Sequence, residues 1–282
     1  MKYTKLLAVI FIFVVFITAA GCMNIQRLSL TEDSFSSAAG APEMENPSSS
    51  VTSYNRKEID HQLYGRYFNS DFKSFPFEPK TSNLDIKQMS SHELISIFSF
   101  LSHPIEGAKV STVNGQLPNA PRNYRNGVHE GLDYYSGSCG VSVTKKTPVL
   151  AAGPGTVIRA DHDFEEMNRE EYNEAVQISH ESSITPEELL DKFRGRQLWI
   201  QHEQGIITRY AHLDTIDSSI QEGTVLEKGQ KIGTTGNSGT LDSVKNTGRG
   251  IHLHFEIWLN GVFLGKDRPV SEVRDIYIQV LD

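Results

Sequence analysis

One stretch of the chain alternates residue by residue. In Ile251-His-Leu-His-Phe-Glu-Ile-Trp258, Ile251, Leu253, Phe255 and Ile257 fall on one face, and His252, His254, Glu256 and Trp258 on the other. A period of two predicts a half-buried strand, because successive strand side chains point to opposite faces. The aliphatic row belongs to a core, which places the two imidazoles side by side on the opposite surface. Gln197-Leu-Trp-Ile-Gln-His202 and Ile206-Ile-Thr-Arg-Tyr-Ala-His-Leu213 predict two further strands. Thr147 to Arg159 reads as two strands around a Gly-Pro-Gly turn. Glycines at 223, 229, 233, 236 and 239 then divide short apolar runs into an expected β-meander.

Helical patterns are few. Ser90-Ser-His-Glu93 has the spacing of a capping box ahead of Leu94, Ile95, Ile97, Phe98 and Leu101, so a short helix is predicted there, ended by Pro104. Residues 161–196 form a polar, acidic insertion between strands, with helical stretches at 165–175 and 186–193. Thr185 is expected to cap the second, with Pro186 in its first turn. The fold class expected is mainly β: a compact antiparallel β-sheet or β-sandwich-like domain at 107–282, carrying a small helical insertion and preceded by a helical N-terminal segment.

The first hundred residues differ from the rest. Lys2 and Lys5 precede an apolar run from Leu6 to Ala20, followed by Gly21-Cys22. A basic start, a short apolar stretch and small residues before a cut site predict a signal peptide at 1–21. A spanning helix needs about 20 apolar residues, more than this run provides. Cys directly after Ala-Gly resembles the bacterial lipobox, which implies lipidation of Cys22 and a membrane anchor through it. Residues 22–54 are rich in Ser, Ala, Asn and Pro and read as a tether, which as a coil of about thirty residues reaches roughly 30 Å. Residues 55–106 form a brace or regulatory segment, whose aromatics Tyr64, Tyr67, Phe68, Phe72, Phe75 and Phe77 are expected to pack on the main domain. Localisation follows: the bacterial cell envelope, lipid-anchored, at the outer membrane or facing the periplasm if two membranes are present, or outside the plasma membrane if there is one.

Composition narrows the function. The 282 residues are enough to bury a core, and hydrophobics at 38% with aromatics at 9% suit a soluble domain. A formal charge of −8 without a basic run excludes a nucleic-acid partner, since phosphate binding needs clustered Lys and Arg. There are two cysteines. With Cys22 acylated, Cys139 has no disulfide partner and sits in a turn-like Ser136-Gly-Ser-Cys-Gly140, where nothing marks an activated thiol.

The candidate chemistry lies in imidazoles. His129-Glu-Gly-Leu-Asp133 places a His and a carboxylate at loop spacing, a weak signal alone in a chain with ten His. His252 and His254 strengthen it, for imidazole is the commonest zinc ligand and a ready base near neutral pH. Spacing leaves open whether both bind a metal or one does while its neighbour moves protons. His212 shares strand parity with Tyr210 and Thr208, so all three are expected to face one groove.

Five ordered motifs then converge: His-x-Gly-x-Asp, Pro-Val-x-Ala-Ala-x-x-Gly-x-Val, Tyr-Ala-His-Leu, Gly-Gln-x-Ile-Gly-x-x-Gly-x-Ser-Gly and His-Leu-His-Phe-Glu. Together they resemble the lysostaphin/LytM-type zinc metallopeptidases, which cut peptide cross-links in bacterial peptidoglycan. The resemblance runs from about Gly107 to Gly265, interrupted by the insertion. It implies one zinc ion held by His129, Asp133 and His254, with His212 and His252 as catalytic histidines, and peptidoglycan peptides as substrate. Metal-activated water would attack the scissile carbonyl, and Glu256, read chiefly as a solvent-exposed carboxylate, is an alternative outer partner of an imidazole. The chain departs from the family in Gly250-Ile-His252, where Gly-Pro-His is common, and in a longer loop between Gly239 and His252. Two alternatives remain. A non-catalytic cell-wall-binding or amidase-activating module typically lacks some ligands. A biotin- or lipoyl-carrier-like sandwich needs a hairpin-tip lysine, which Lys228 and Lys231 do not provide.

Overall fold

The computed structural model describes residues 82–282. The signal segment, Cys22, the tether and the aromatic cluster from Tyr64 to Phe77 lie outside the described residues. No helix among the described residues is long and apolar enough to cross a membrane.

Two antiparallel sheets form the body. The larger is seven-stranded. It runs β1 (Leu132–Tyr135), β9 (His252–Leu259), β5 (Ile206–Ala211), β4 (Leu198–Gln201), β3 (Gly155–Ala160), β7 (Val225–Leu226), and β10 (Val262–Phe263) pairs with β9 off this path. The smaller sheet runs β2 (Pro148–Leu150), β8 (Lys231–Thr235), β6 (Leu213–Ile216). The alternating strand is thus central, with β1 and β5 on either side. Its row Leu253, Phe255 and Ile257 packs into one core with Tyr134, Tyr210 and Leu198. The mainly β, antiparallel fold is as expected.

Both strands expected around Gly-Pro-Gly form, and they enter different sheets: β2 joins β8 in the small one and β3 joins β4 in the large one. The chain uses that turn as a corner between sheets. The connectivity differs from the expectation in the glycine-rich run after Gly223, which is no meander, since β7 pairs with β3 and β8 with β2 and β6. Tight turns reverse the chain locally, but which strand receives it is decided by packing across the core.

Helix α1 (Ser91–Phe98) has the capping box that Ser90 and Glu93 predict, and it ends well before Pro104. It buries Leu94 and Phe98 in the same core as the sheets and packs on the C-terminal helix. The insertion holds α2 (Arg169–Glu181) and α3 (Glu187–Arg194), the first shifted from its expected start because Asn168, with Glu171, closes its own capping box. Thr185 does not cap α3; its hydroxyl donates to the Asn126 carbonyl instead (2.7 Å). Met167, Tyr172, Ala175 and Phe193 gather into a small separate core. Leu241 and Val244 from a one-turn helix α4 (Leu241–Val244) in the long loop pack against it. The last helix, α5 (Val270–Leu281), buries Val273, Ile276 and Tyr277.

Candidate metal centre

Strand register builds the site. Pairing of β1 with β9 places Asp133 opposite His254 and Tyr135 opposite His252. His129 arrives from the loop before β1, and Gly131 lets that loop close on β9. A Cβ there would lie 2.5 Å from the Phe255 carbonyl oxygen and 2.9 Å from the His254 ring. The glycine of His-x-Gly-x-Asp is therefore set by contact rather than by turn conformation.

Among the described residues, His129, Asp133 and His254 form a group able to hold a metal ion, and all three are buried. His129 Nε2 lies 2.9 Å from Asp133 Oδ1 and 2.8 Å from His254 Nδ1, and His254 Nδ1 lies 2.9 Å from Asp133 Oδ1. The outer contacts decide what these atoms offer. His129 Nδ1 donates to the Leu117 carbonyl (3.1 Å), so its Nε2 carries a lone pair in the neutral ring. His254 Nε2 donates to Glu256 Oε1 (2.8 Å), which leaves Nδ1 as the inward atom. Arg122 reaches Asp133 Oδ2 (3.3 Å), leaving Oδ1 for the centre. Three donors thus converge on one point, each oriented from behind. Two imidazoles and one carboxylate match a three-ligand zinc site.

Electrostatics agree. Burial of the His129 ring lowers its pKa to about 4, keeping it neutral. Burial also disfavours charge on His254, but hydrogen bonds to Asp133 and Glu256 outweigh it and raise that pKa to about 9. The Asp133 carboxyl is opposed by burial and held well below the usual carboxylate range chiefly by His129. The proton held on His254 Nδ1 lies between these donors, where a bound cation would displace it.

His212 and His252 flank the centre with rings 4.5 Å apart. Each is turned by a carbonyl: His212 Nδ1 donates to Ser238 O (2.7 Å) and His252 Nδ1 to Gly250 O (2.7 Å). Both therefore present Nε2 as an acceptor. Burial depresses both pKa values, His212 well below the ordinary histidine range. Tyr135 stacks on His252 with centroids 4.1 Å apart and planes 9° apart, fixing its ring.

His212 does not reach this place by strand parity. It sits between β5 and β6 with φ of 59°, a conformation that breaks the alternation. Tyr210 and Thr208 stay in the interior, where the Tyr210 hydroxyl accepts from Ala152 N (2.8 Å), while His212 turns into the cleft. The expectation of a shared groove face for all three is corrected accordingly.

The face of β9 that carries the histidines is not an open surface either. His252 and His254 are 4% and 5% exposed, and Glu256 is fully buried. Glu256 as a solvent-exposed carboxylate is overturned: Oε1 accepts from His254 and from Arg194 Nε (2.7 Å), and Oε2 accepts from Trp258 Nε1 (2.6 Å). Burial opposes its charge, but Arg194 above all holds its pKa well below the ordinary value. Sequence reasoning missed Arg194 and Arg122. Only their place among acidic partners gives them a role, and neither lies in a motif.

A cleft of about 590 Å³ opens over the centre, walled by Tyr124, Tyr172, Phe193 and Leu241 and floored by His212 and His254. The insertion and the long loop before β9 therefore supply one wall.

Residues 184–265 match peptidase family M23, a stretch that includes His212, His252 and His254, while His129 and Asp133 lie upstream of it. The chain is 26% identical over 164 residues to the peptidoglycan DD-endopeptidase ShyC of Vibrio cholerae, covering 58% of this chain and 28% of that protein. It is 35% identical over 82 residues to the peptidoglycan DD-endopeptidase ShyB of the same organism, covering 29% of this chain and 16% of that one. It therefore spans less than a third of these relatives. The catalytic domain of lysostaphin from Staphylococcus simulans superimposes over 52% of this chain and 83% of its own, at 18% identity and a TM-score of 0.33.

Proposed function

We propose, for a chain that carries a peptidase family M23 domain, that it is a zinc-dependent endopeptidase hydrolysing peptide cross-links of bacterial peptidoglycan. The observation that carries this reading is the convergence of His129 Nε2, Asp133 Oδ1 and His254 Nδ1, beside two further imidazoles that present Nε2 to the same cleft. A binding or activating module has no need of such a complete set, so the geometry favours catalysis. Bound by the three residues, zinc supplies Lewis acidity that polarises a carbonyl and makes water acidic near neutral pH.

The chain's own residues do the rest. His212 and His252 stay neutral because they are buried, so either Nε2 can accept a proton from water near the centre. The protonated ring can then pass that proton to the leaving amine. The Ser238 and Gly250 carbonyls keep both rings in the tautomer this requires. Peptidoglycan as substrate draws on the two endopeptidases that the chain is similar to. Lipidation at Cys22, which lies outside the described residues, would hold the enzyme at the membrane facing the wall.

The test is to purify the full chain in detergent, measure bound zinc, and assay muropeptide release from peptidoglycan against His254→Ala. Stoichiometric zinc and release that the variant loses are expected. A wild-type protein without zinc and no more active than the variant would sink the reading.

A further inference from the structure

The insertion at 161–196 ends inside the site. Arg194, the last residue of α3, is 3% exposed, and its guanidinium spans two carboxylates: Nε donates to Glu256 Oε1 (2.7 Å) and Nη1 to Glu187 Oε1 (2.8 Å). The same Oε1 of Glu256 accepts from His254 Nε2 (2.8 Å). The other oxygen is held by Trp258 Nε1 (2.6 Å) and approached by Arg209 Nη1 (3.4 Å), whose guanidinium lies 3.8 Å and 4.2 Å from the Trp199 and Trp258 rings. Glu256 thus has little freedom to rotate, and its aim is shared between β9 and the insertion. The backbone at this point touches the other half of the site, since His212 N donates to the Arg194 carbonyl (2.8 Å). Gly195, at φ of 69°, brings that turn against Ser238, where a Cβ would lie 2.3 Å from the Ser238 carbonyl oxygen. Ser238 is the residue whose carbonyl orients His212.

A carboxylate behind a ligating imidazole sets the ring's tautomer and basicity, and removing such a partner typically weakens metal binding by about 10–100-fold. We infer that Arg194 is a positioning residue of the metal centre, acting through Glu256 on His254, and that the insertion is by this contact a working part of the site. The inference rests on the zinc reading above.

The experiment is a chelator-competition measurement of zinc affinity on the full chain, with thermal melts alongside. Four proteins are compared with wild type: Arg194→Met, Glu256→Gln, the double variant, and Arg159→Met. Arg159→Met serves as control because it removes a different anchor of α3, the paired hydrogen bonds to Asp191 (2.8 Å each). Arg194→Met is expected to bind zinc at least tenfold more weakly, and the double variant no more weakly than the worse single one, as for two members of one relay. Arg159→Met should change affinity less than twofold. Near wild-type affinity in folded Arg194→Met, or an equal loss in Arg159→Met, overturns the inference and leaves the zinc reading standing. Absence of zinc from the wild type overturns both. If Arg194→Met does not fold, Arg194→Lys carries the test: it keeps the charge but not the fork, and a several-fold loss is expected where wild-type affinity would refute.

Discussion

At the scale of single residues, the site is a set of orientations imposed from behind. Each imidazole nitrogen that faces the centre or the cleft does so because its ring partner is fixed by an acceptor: Leu117 O, Glu256, Ser238 O or Gly250 O. Roles can therefore be separated by substitution. His252→Ala and His212→Ala are each expected to retain zinc while lowering hydrolysis by about 10²–10⁴-fold, the usual contribution of a proton-transfer group. Zinc analysis together with a muropeptide assay checks this, and a variant that lost zinc would be a ligand instead. Gly131→Ala is expected to damage the centre without touching a ligand. Its Cβ would meet the Phe255 carbonyl oxygen at 2.5 Å and push the His129 loop from β9. A loss of about 1–3 kcal/mol, the usual cost of overpacking, should appear in urea unfolding, with weaker zinc binding. Unchanged affinity would show that the loop relaxes freely. The loop histidine and aspartate were legible in sequence, as was the paired imidazole strand. Spacing left the difference between His252 and His254 open, and only the resemblance assigned it, for its physical basis lies in what stands behind each ring.

Elements show where local pattern suffices. The alternation of 251–258 gave a true strand, and Ser90 with Glu93 a true cap, because both signals depend on neighbours in the chain. The polar face of β9 was read as surface, yet it is covered by elements distant in sequence. His212 illustrates the other limit: one residue with φ of 59° moves its side chain from the expected face to the cleft. Between β4 and β5, a second histidine offers a stability test independent of the centre. His202 is buried, with Nδ1 donating to Pro154 O (2.7 Å) and Nε2 beside Thr208 Oγ1 (2.8 Å), and burial lowers its pKa from 6.5 to about 4. The sign follows from linkage. Below pH 6.5 the unfolded chain takes up a proton that the folded one refuses, so this stability is present above 6.5 and is lost as pH falls toward 4. Its size is on the order of 3 kcal/mol. Urea midpoints measured across that window should fall, and His202→Gln should lessen the slope. An identical slope in the variant would remove His202 as the cause.

At the scale of the whole molecule, the proposed site depends on parts that the sequence separates widely. The first loop supplies His129, β1 supplies Asp133, β9 supplies His254, and the insertion supplies Arg194. Chelation should therefore loosen more than the cleft: with zinc bound to the native state alone, removing it by EDTA is expected to lower stability by about 3–4 kcal/mol where zinc exceeds its dissociation constant a hundred- to a thousandfold. A melt unchanged by EDTA in a zinc-loaded sample would argue against a centre that joins these elements. Anchoring is tested at the other end of the chain. Cys22→Ser should move the protein from the membrane to the soluble fraction, whereas continued membrane association would exclude lipidation as its cause. By itself the sequence determined the identity and order of the chemical groups, the β character of the domain and the strand that carries two imidazoles, because composition, motif order and short-range periodicity are properties of the chain. Only tertiary structure decided that β2 and β3 part into different sheets, that Glu256 is buried under His254, and that an acidic insertion delivers an arginine to it. Those outcomes depend on register and on burial between residues far apart in sequence, where desolvation makes a charge either paired or absent.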